Sequence, residues 1–155
     1  MEKEIFRIGV ISDTHGLLRK EAEKQLKLSN VIIHAGDIGN VEIINRLQKI
    51  APVYFIKGNI DKEDWAAEFP EILELKIADK NILVIHNLKD SKGSSKCYDI
   101  IISGHSHQPL IKQENGIFYL NPGSAGKRRF SLPVSVAEIL IAEGKISARI
   151  IELDI

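Results

Sequence analysis

Aspartate, asparagine and histidine residues follow five short apolar runs of this 155-residue chain, and these residue types bind divalent metal ions. Each run has the Val/Ile/Leu composition typical of a strand that is buried on both faces of a sheet. In open α/β sheets, ligands bind just beyond the carboxyl ends of the strands. The pattern therefore predicts a metal site along one sheet edge of an enzyme, with the candidate ligands Asp13, His15, Asp37, Asn59, His86, His105 and His107.

Taken singly, these motifs have ordinary structural explanations. Asp13 or Thr14 could cap a following helix, and Asp37 or Asn59 could be turn residues. His86 could be a buried core histidine whose ring nitrogens are hydrogen-bonded. Five such segments at five successive strand ends would be a large coincidence, so the set favours metal binding over the separate structural explanations.

The segment Gly104-His105-Ser106-His107 is the strongest single motif. Two histidines one residue apart point the same way if the backbone is extended. The preceding glycine makes room for them, although a lone His-x-His is often only a surface loop.

Three other polar residues are less decisive. His34 lies inside a strand, and we expect it to be a packed core histidine rather than a ligand. Asn121 and Ser124 belong to a Gly/Pro-rich turn after a strand. Both a structural role and a contact with substrate are open for that turn.

The number and type of ligands indicate more than one ion. Seven candidates exceed the three protein ligands of a catalytic zinc site but suit two ions that share a carboxylate. Cys97 is the only cysteine, so neither a thiolate cluster nor an internal disulfide can form. For two divalent ions we expect Mn²⁺, with Ni²⁺, Fe²⁺, Zn²⁺ and Mg²⁺ as alternatives.

The elements that must position these ligands alternate between strand and helix in the first half of the chain. Apolar periodicity predicts strands at 5–12, 31–35 and 53–57, and helices from Leu17 to Leu28 and from Val41 to Ile50. This βαβαβ order implies parallel strands with right-handed crossovers.

The second half of the chain has shorter, alternating patterns. Residues 71–78 and 82–86 are predicted to form a hairpin, and Glu143-Gly144 is a good turn. Further strands are expected at 100–103, 109–113, 117–120, 134–142 and 145–152. The prediction for the whole is one α/β domain over residues 1–155, a four-layer αββα sandwich of two mixed sheets flanked by helices.

The overall composition restricts the partners. The chain has 21 Lys and Arg against 21 Asp and Glu, so its net charge gives no electrostatic reason to expect a structural nucleic-acid partner. No apolar stretch approaches the roughly 20 residues that span a bilayer. Because the start, Met1 to Glu4, is charged, we expect no signal peptide, no membrane partner and a cytoplasmic location. A homo-oligomer is compatible with the sequence.

The motif order Asp-x-His, Gly-Asp, Gly-Asn-x-Asp, His, Gly-His-x-His resembles the calcineurin-like metallophosphoesterase superfamily over essentially the whole chain. The small size and the later segments 120–124 and 126–130 are similar to its compact, YfcE-like phosphodiesterase branch, to which the retromer subunit Vps29 is related. The resemblance implies a small phosphodiester substrate, cleaved at a dinuclear site by a hydroxide that bridges both ions. Two alternatives are a non-catalytic, Vps29-like scaffold and a phosphomonoesterase or nucleotide hydrolase on the same site.

The resemblance also implies roles for the candidate ligands. Asp37 would bridge the ions, and Asp37, Asn59 and His105 are identified as the catalytic positions. The implied ligands are Asp13, His15, Asp37 and His107 for one ion, and Asn59, His86 and His105 for the other.

The chain departs from the family pattern in two places. Many relatives have a histidine after the metal-binding asparagine, which protonates the leaving group or binds phosphate. Here that residue is Ile60, and the neighbouring Asp61 is the first candidate to replace it. Residues 87–98 are polar and too short for the full helix of the relatives, so we expect a mobile loop there and a more open cleft beside His86.

Overall fold

The computed structural model describes residues 4–91, 97–129 and 131–155 and places ten strands in two five-stranded sheets. The strands are β1 (Ile5–Ile11), β2 (Val31–His34), β3 (Val53–Phe55), β4 (Ile72–Ile77), β5 (Lys80–Ile85), β6 (Ile100–Ile102), β7 (Leu110–Glu114), β8 (Ile117–Asn121), β9 (Ser135–Ala142) and β10 (Lys145–Glu152).

Both sheets have parallel strands next to antiparallel ones. The first has the order β10-β9-β1-β2-β3, with β1, β2 and β3 parallel. The second has the order β4-β5-β6-β8-β7, with β5, β6 and β8 parallel. The predicted hairpin pairs β4 with β5, and the turn at Glu143-Gly144 joins β9 to β10.

Two helices lie beside the first sheet, α1 (Lys20–Leu26) and α2 (Val41–Gln48). Asn40 caps α2 by accepting from the Glu42 N–H at 2.8 Å. The N-cap of α1 is Arg19, so Asp13 and Thr14 do not cap it. The helix begins later than predicted because the residues before it form a loop at the sheet edge. Neither helix has the length and apolar composition to cross a membrane, and the same is true of the other helices in the described residues.

The buried side chains confirm the layered fold. One cluster lies between the sheets and includes Ile8 of β1 and Val84 of β5. A second lies between the first sheet and the helices, around Ile32 and Leu47. On the outer face of the second sheet, the described residues form a smaller cluster around Tyr98 instead of packing an α-helix.

The connection between β5 and β6 is described only at its two ends. It begins with a single 3₁₀ turn, Leu88–Ser91. Mobility was predicted for residues 87–98, of which 92–96 lie outside the described residues.

Candidate metal centre

The loops that follow five parallel strands meet at one edge of the two sheets and are joined by backbone hydrogen bonds. The Asp13 N–H donates to Gly36 O at 3.0 Å, and the His15 N–H donates to Asp37 O at 2.9 Å. In the second sheet, the Gly104 N–H donates to His86 O at 3.0 Å. These bonds fix the candidate ligands relative to one another before any side chain is considered.

Left-handed backbone is concentrated in these loops. Among the described residues, nine that are not glycine have positive φ, and four of them lie in the turns of hairpins. The other five are candidate ligands: Asp13, His15, Asp37, His105 and His107, with φ of 47° to 71°. Such conformations cost about 1–3 kcal/mol each and concentrate at functional sites. The fold therefore bears this cost at the residues that were predicted to bind metal.

In both Asp13 and Asp37, one carboxylate oxygen accepts hydrogen bonds from a neighbouring loop and the other faces the centre. Asp13 Oδ2 accepts from Ser12 Oγ at 2.8 Å and from the His105 N–H at 3.1 Å, while Oδ1 stays free for the centre. Asp37 Oδ1 accepts from the Ile60 N–H at 3.1 Å, while Oδ2 faces the histidines. Each aspartate thus holds a neighbouring loop with one oxygen and presents the other to the centre.

Three histidines converge on these free oxygens. His15 Nε2 lies 3.7 Å from Asp13 Oδ1 and 3.6 Å from Asp37 Oδ2. His86 Nε2 lies 3.2 Å from Asp37 Oδ2 and 3.9 Å from Asp13 Oδ1. His107 Nε2 lies 3.5 Å from Asp13 Oδ1. Two groups of side chains could therefore hold an ion: Asp13, His15 and His107, and Asp13, Asp37 and His86.

The chemistry of the donor set fits a divalent ion. Asp13 Oδ1, His86 Nε2 and His107 Nδ1 are buried side-chain atoms without a hydrogen-bond partner among the described residues. His86 Nδ1 lies 2.7 Å from Ala35 O, and because a carbonyl only accepts, Nδ1 carries a proton. When the ring is neutral, the lone pair of Nε2 is then available to a metal ion placed between it and the carboxylates, as in metal-binding histidines.

Asn59 and His105 lie on the exposed rim of this centre. Asn59 Nδ2 is 3.4 Å from His105 Nδ1, and the His105 ring centroid is 5.3 Å from that of His86. The His107 ring is instead buried beside His15, at 5.2 Å between centroids. Both histidines of the motif have left-handed φ, so the extended backbone on which the sequence argument was conditional is not present.

Burial and charge act against each other in the titration of this centre. Burial opposes ionisation of Asp13, but His107 and His15 outweigh it and hold the pKa of Asp13 below its usual range. Burial opposes ionisation of Asp37 too, yet His86 leaves the pKa of Asp37 lowered. Asp13 raises the pKa of His15, and Asp37 raises the pKa of His86 against the effect of burial. Ionised carboxylates thus face proton-holding imidazoles, where a metal cation would replace protons.

His34 is a core histidine, as predicted. Its Nδ1 accepts from the Gly36 N–H at 3.1 Å, so Nε2 carries the proton and donates to Thr14 Oγ1 at 3.0 Å. Burial lowers the pKa of His34 to about 4, so the ring is neutral at physiological pH.

Two glycines make the close approach of the loops possible. A Cβ on Gly58 would lie 2.2 Å from Asp37 Oδ1, and a Cβ on Gly104 would lie 2.1 Å from Ser12 Oγ and 2.7 Å from Asp13 Oδ2. Any larger residue at these positions would displace a side chain of the centre. At position 104 the glycine therefore makes room for the Ser12 and Asp13 side chains.

Asp61 has a role that the sequence did not indicate. It is buried, and its carboxylate accepts from three backbone N–H groups: Ile38 at 3.0 Å, Gly39 at 2.9 Å and Gly58 at 2.9 Å. Asp61 therefore ties the Asp37 loop to the Asn59 loop. Its occupied oxygens argue against a role as general acid.

The turn after β8 holds two other ligand loops. Asn121 Nδ2 donates to Gly104 O at 2.9 Å and to Ser106 Oγ at 3.1 Å. Ser124 Oγ donates to Asp13 O at 3.0 Å. Both residues are buried, so of the two explanations left open by the sequence, the structural role is the one that these contacts favour.

A cleft of about 890 Å³ opens beside the centre on the His86 side. Its lining carries charges of both signs and is made of Lys57, Gly58, Asn59, Asp61, Lys62, Glu71, Ile72, Ile85, His86, Asn87 and Asp90. This cleft lies on the side where the sequence predicted an opening, beside His86.

Known proteins share both the sequence pattern and the fold. Residues 6–144 match the model of the calcineurin-like phosphoesterase superfamily domain. A probable metallophosphoesterase of Methanocaldococcus jannaschii is 36% identical over 158 residues, which cover 95% of this chain and 81% of that protein. An archaeal phosphodiesterase structure has a TM-score of 0.82 at 21% identity, over 96% of this chain and 100% of that one. Vps29 from Entamoeba histolytica, solved with Zn²⁺, has a TM-score of 0.70 at 19% identity, with the same two coverages.

Proposed function

This chain belongs to the calcineurin-like phosphoesterase superfamily, and on that premise we propose that it is a divalent-metal-dependent phosphodiesterase acting on small phosphodiesters. The observation that carries the proposal is the pair of buried, unpaired ligand atoms Asp13 Oδ1 and His86 Nε2. A buried polar atom without a partner costs about 1–3 kcal/mol. A bound cation would provide the missing partner for the carboxylate and imidazole atoms at the centre.

We assign the ligands of two ions, with Asp37 as the bridge. Asp37 Oδ2 lies 3.6 Å from His15 Nε2 and 3.2 Å from His86 Nε2, which supports a bridging position. The proposed ligand sets are Asp13, His15, Asp37 and His107 for the first ion, and Asp37, Asn59, His86 and His105 for the second.

When bound, the two ions, for which we propose Mn²⁺, would activate a water molecule and offset charge on the phosphoryl oxygens. The chain itself keeps Asp13 and Asp37 ionised and holds their free oxygens inward. Asn59 and His105 are exposed, so they would be the first protein groups to meet a substrate phosphate. The cleft beside His86 would receive one of the two ester groups.

The residues around the centre favour diesters over monoesters. The Ile60 side chain is 45% exposed on the rim but can donate no proton. Asp61 does not replace it, because both carboxylate oxygens accept backbone N–H groups. General acid assistance is typically worth about 10²–10⁴-fold. Without it, turnover depends on a good leaving group, and Ile60 also offers no charge to the dianion of a monoester.

A matrix of metals and substrates tests this proposal. Protein loaded with Mn²⁺, Ni²⁺, Fe²⁺, Zn²⁺ or Mg²⁺ would be assayed on an aryl phosphodiester and on the matching aryl monoester. We expect much faster cleavage of the diester. Ile60→His should raise monoester turnover and narrow the preference, whereas Ile60→Gln, which is polar but not acidic, should not. A wild-type preference for the monoester would refute this account of specificity and favour a phosphomonoesterase.

The non-catalytic scaffold is the second candidate, favoured by the likeness to Vps29. Because that Vps29 structure also contains Zn²⁺, metal binding alone does not separate the two functions. Turnover does separate them: two bound ions with no hydrolysis of any ester in the matrix would favour the scaffold.

A further inference from the structure

The segment that follows β8 is fixed directly onto the first ligand loop. Besides the Ser124 bond to Asp13 O, the Ala125 N–H donates to Ser12 O at 3.1 Å. A Cβ on Gly126 would lie 2.3 Å from Thr14 O, so the two backbones are in close contact. The residues after Gly126 therefore begin beside the Asp13 and His15 ligands.

Those residues are three consecutive cations, Lys127, Arg128 and Arg129, and all three are exposed. Arg19 adds a fourth cation, since its guanidinium donates to Gly126 O at 3.3 Å and 3.4 Å. Within the described part of the chain, no acidic side chain pairs with the three consecutive cations.

This concentration of positive charge is local, because the chain as a whole carries 21 cationic and 21 acidic residues. The other side of the centre is different, since the cleft beside His86 mixes Lys57 and Lys62 with Glu71 and Asp90. Among the described residues, the His15 side thus carries cations without an acidic partner, next to the proposed reacting phosphate.

We propose that Lys127, Arg128 and Arg129 form a subsite for a second, non-scissile phosphate of the substrate. The subsite rests on the phosphodiesterase function proposed above. The substrate class is a nucleotide-type phosphodiester that carries another phosphate on the side away from the leaving group. Lysine and arginine suit this group because guanidinium and ammonium donate charge-assisted hydrogen bonds to phosphate oxygens.

The terminal phosphate of a small nucleotide and the next internucleotide phosphate of a short oligonucleotide share this chemistry. Three aryl esters separate them: the p-nitrophenyl ester of thymidine 5′-phosphate, the same ester with a 3′-phosphate, and the p-nitrophenyl ester of the dinucleotide pTpT. All three have the same scissile bond and leaving group. Differences in kcat/KM therefore report the second phosphate and not the chemistry of cleavage.

A triple variant, Lys127→Gln, Arg128→Gln and Arg129→Gln, tests the subsite on the full-length, Mn²⁺-loaded protein. Its matched control is Lys27→Gln, Lys49→Gln and Lys145→Gln, which makes the same charge change at exposed residues of the opposite sheet edge. We expect wild type and control to favour an ester with the second phosphate by about tenfold, as three exposed ion pairs allow. In the first triple variant, the ratio of kcat/KM for an ester with the second phosphate to kcat/KM for the ester without it should fall close to one.

Preference for the terminal 3′-phosphate would identify small nucleotides as the source, and preference for pTpT alone would identify oligonucleotides; either supports the subsite. The subsite proposal would be overturned if wild type had equal kcat/KM for esters with and without the second phosphate. It would also be overturned if the preference of wild type for the second phosphate were unchanged in the first triple variant. Calorimetry with thymidine 3′,5′-bisphosphate against thymidine 5′-phosphate provides a readout independent of turnover. Absence of turnover with a binding preference would refute the proposed function alone, and equal binding would refute the subsite.

Discussion

His34 and His86 are both buried histidines at the ends of apolar strands, but their surroundings differ. His34 closes β2, and both of its ring nitrogens have hydrogen-bond partners in Gly36 and Thr14. His86 follows β5, and only its Nδ1 is hydrogen-bonded, to Ala35 O. Its Nε2 has no hydrogen-bond partner among the described residues and lies 3.2 Å from Asp37 Oδ2.

This difference separates a structural histidine from a candidate ligand. Burial and the type of residue are the same in both, so neither property identifies the function. The deciding features are an unpaired nitrogen and an ionised carboxylate in front of it. Burial leaves His34 neutral with a lowered pKa, whereas Asp37 raises the pKa of His86 in spite of burial.

The largest effect is expected at the carboxylate that His86 faces. Asp37→Asn removes the charge that would offset two cations, so the variant should lose one or both ions and nearly all turnover. Metal content by mass spectrometry and diester hydrolysis would be measured together. Two equivalents of bound metal with intact activity would contradict the dinuclear assignment.

Substitution of the two histidines tests the comparison itself. His86→Gln should lose one equivalent of metal, because Nε2 is the atom directed at Asp37. His34→Gln should bind as many ions as wild type, since neither of its nitrogens is free. Metal titration followed by calorimetry measures both, and equal losses in the two variants would show that the comparison is wrong.

A smaller loss of metal affinity is expected from substitution of Asp61, which connects two of the ligand loops by hydrogen bonds. Asp61→Asn replaces one acceptor oxygen by a donor, so the N–H groups of Ile38, Gly39 and Gly58 can no longer all be satisfied. Loss of such supporting contacts typically costs about 10–100-fold in metal affinity. Asp64→Asn, on an exposed 3₁₀ turn, is the matched control. If Asp61→Asn lowers kcat while metal affinity is unchanged, Asp61 is a proton donor after all.

The smallest effect concerns the pH dependence of stability. The pKa of His34 is about 4 in the folded protein against an ordinary value of 6.5. The unfolded chain therefore takes up the extra proton first, and stability is lost as the pH falls from 6.5 towards 4. At pH 5 this loss is about 2 kcal/mol relative to pH 8. The free energy of unfolding of wild type and of His34→Gln would be measured by urea titration at pH 5 and pH 8, in the presence of a chelator. The variant should lack this loss at pH 5, and an equal pH dependence in both proteins would contradict the prediction.

The sequence was sufficient to predict the order of strands and the polar residues at their ends. Buried strands require continuous apolar runs, and parallel pairing brings their carboxyl ends to one edge. Helix boundaries were less predictable, because α1 could begin only after the first ligand loop had turned away from β1. The backbone conformation at His105 and His107 was left open by the sequence, and the packed loops hold it left-handed.

The sequence by itself determined the two sheets, the parallel core and the set of seven candidate ligands, since apolar periodicity and residue type are local properties. Only the tertiary structure decided which nitrogen or oxygen is left unpaired, because that depends on partners distant in sequence, such as Ala35 for His86. For the same reason, the sequence suggested Asp61 as a catalytic acid, whereas in the structure its carboxylate hydrogen-bonds to the backbone of two ligand loops. This dependence on distant partners also explains why the sequence did not single out Lys127, Arg128 and Arg129 as a subsite. Their position beside the metal centre depends on the Ser124 hydrogen bond to Asp13 O, which forms only in the folded chain.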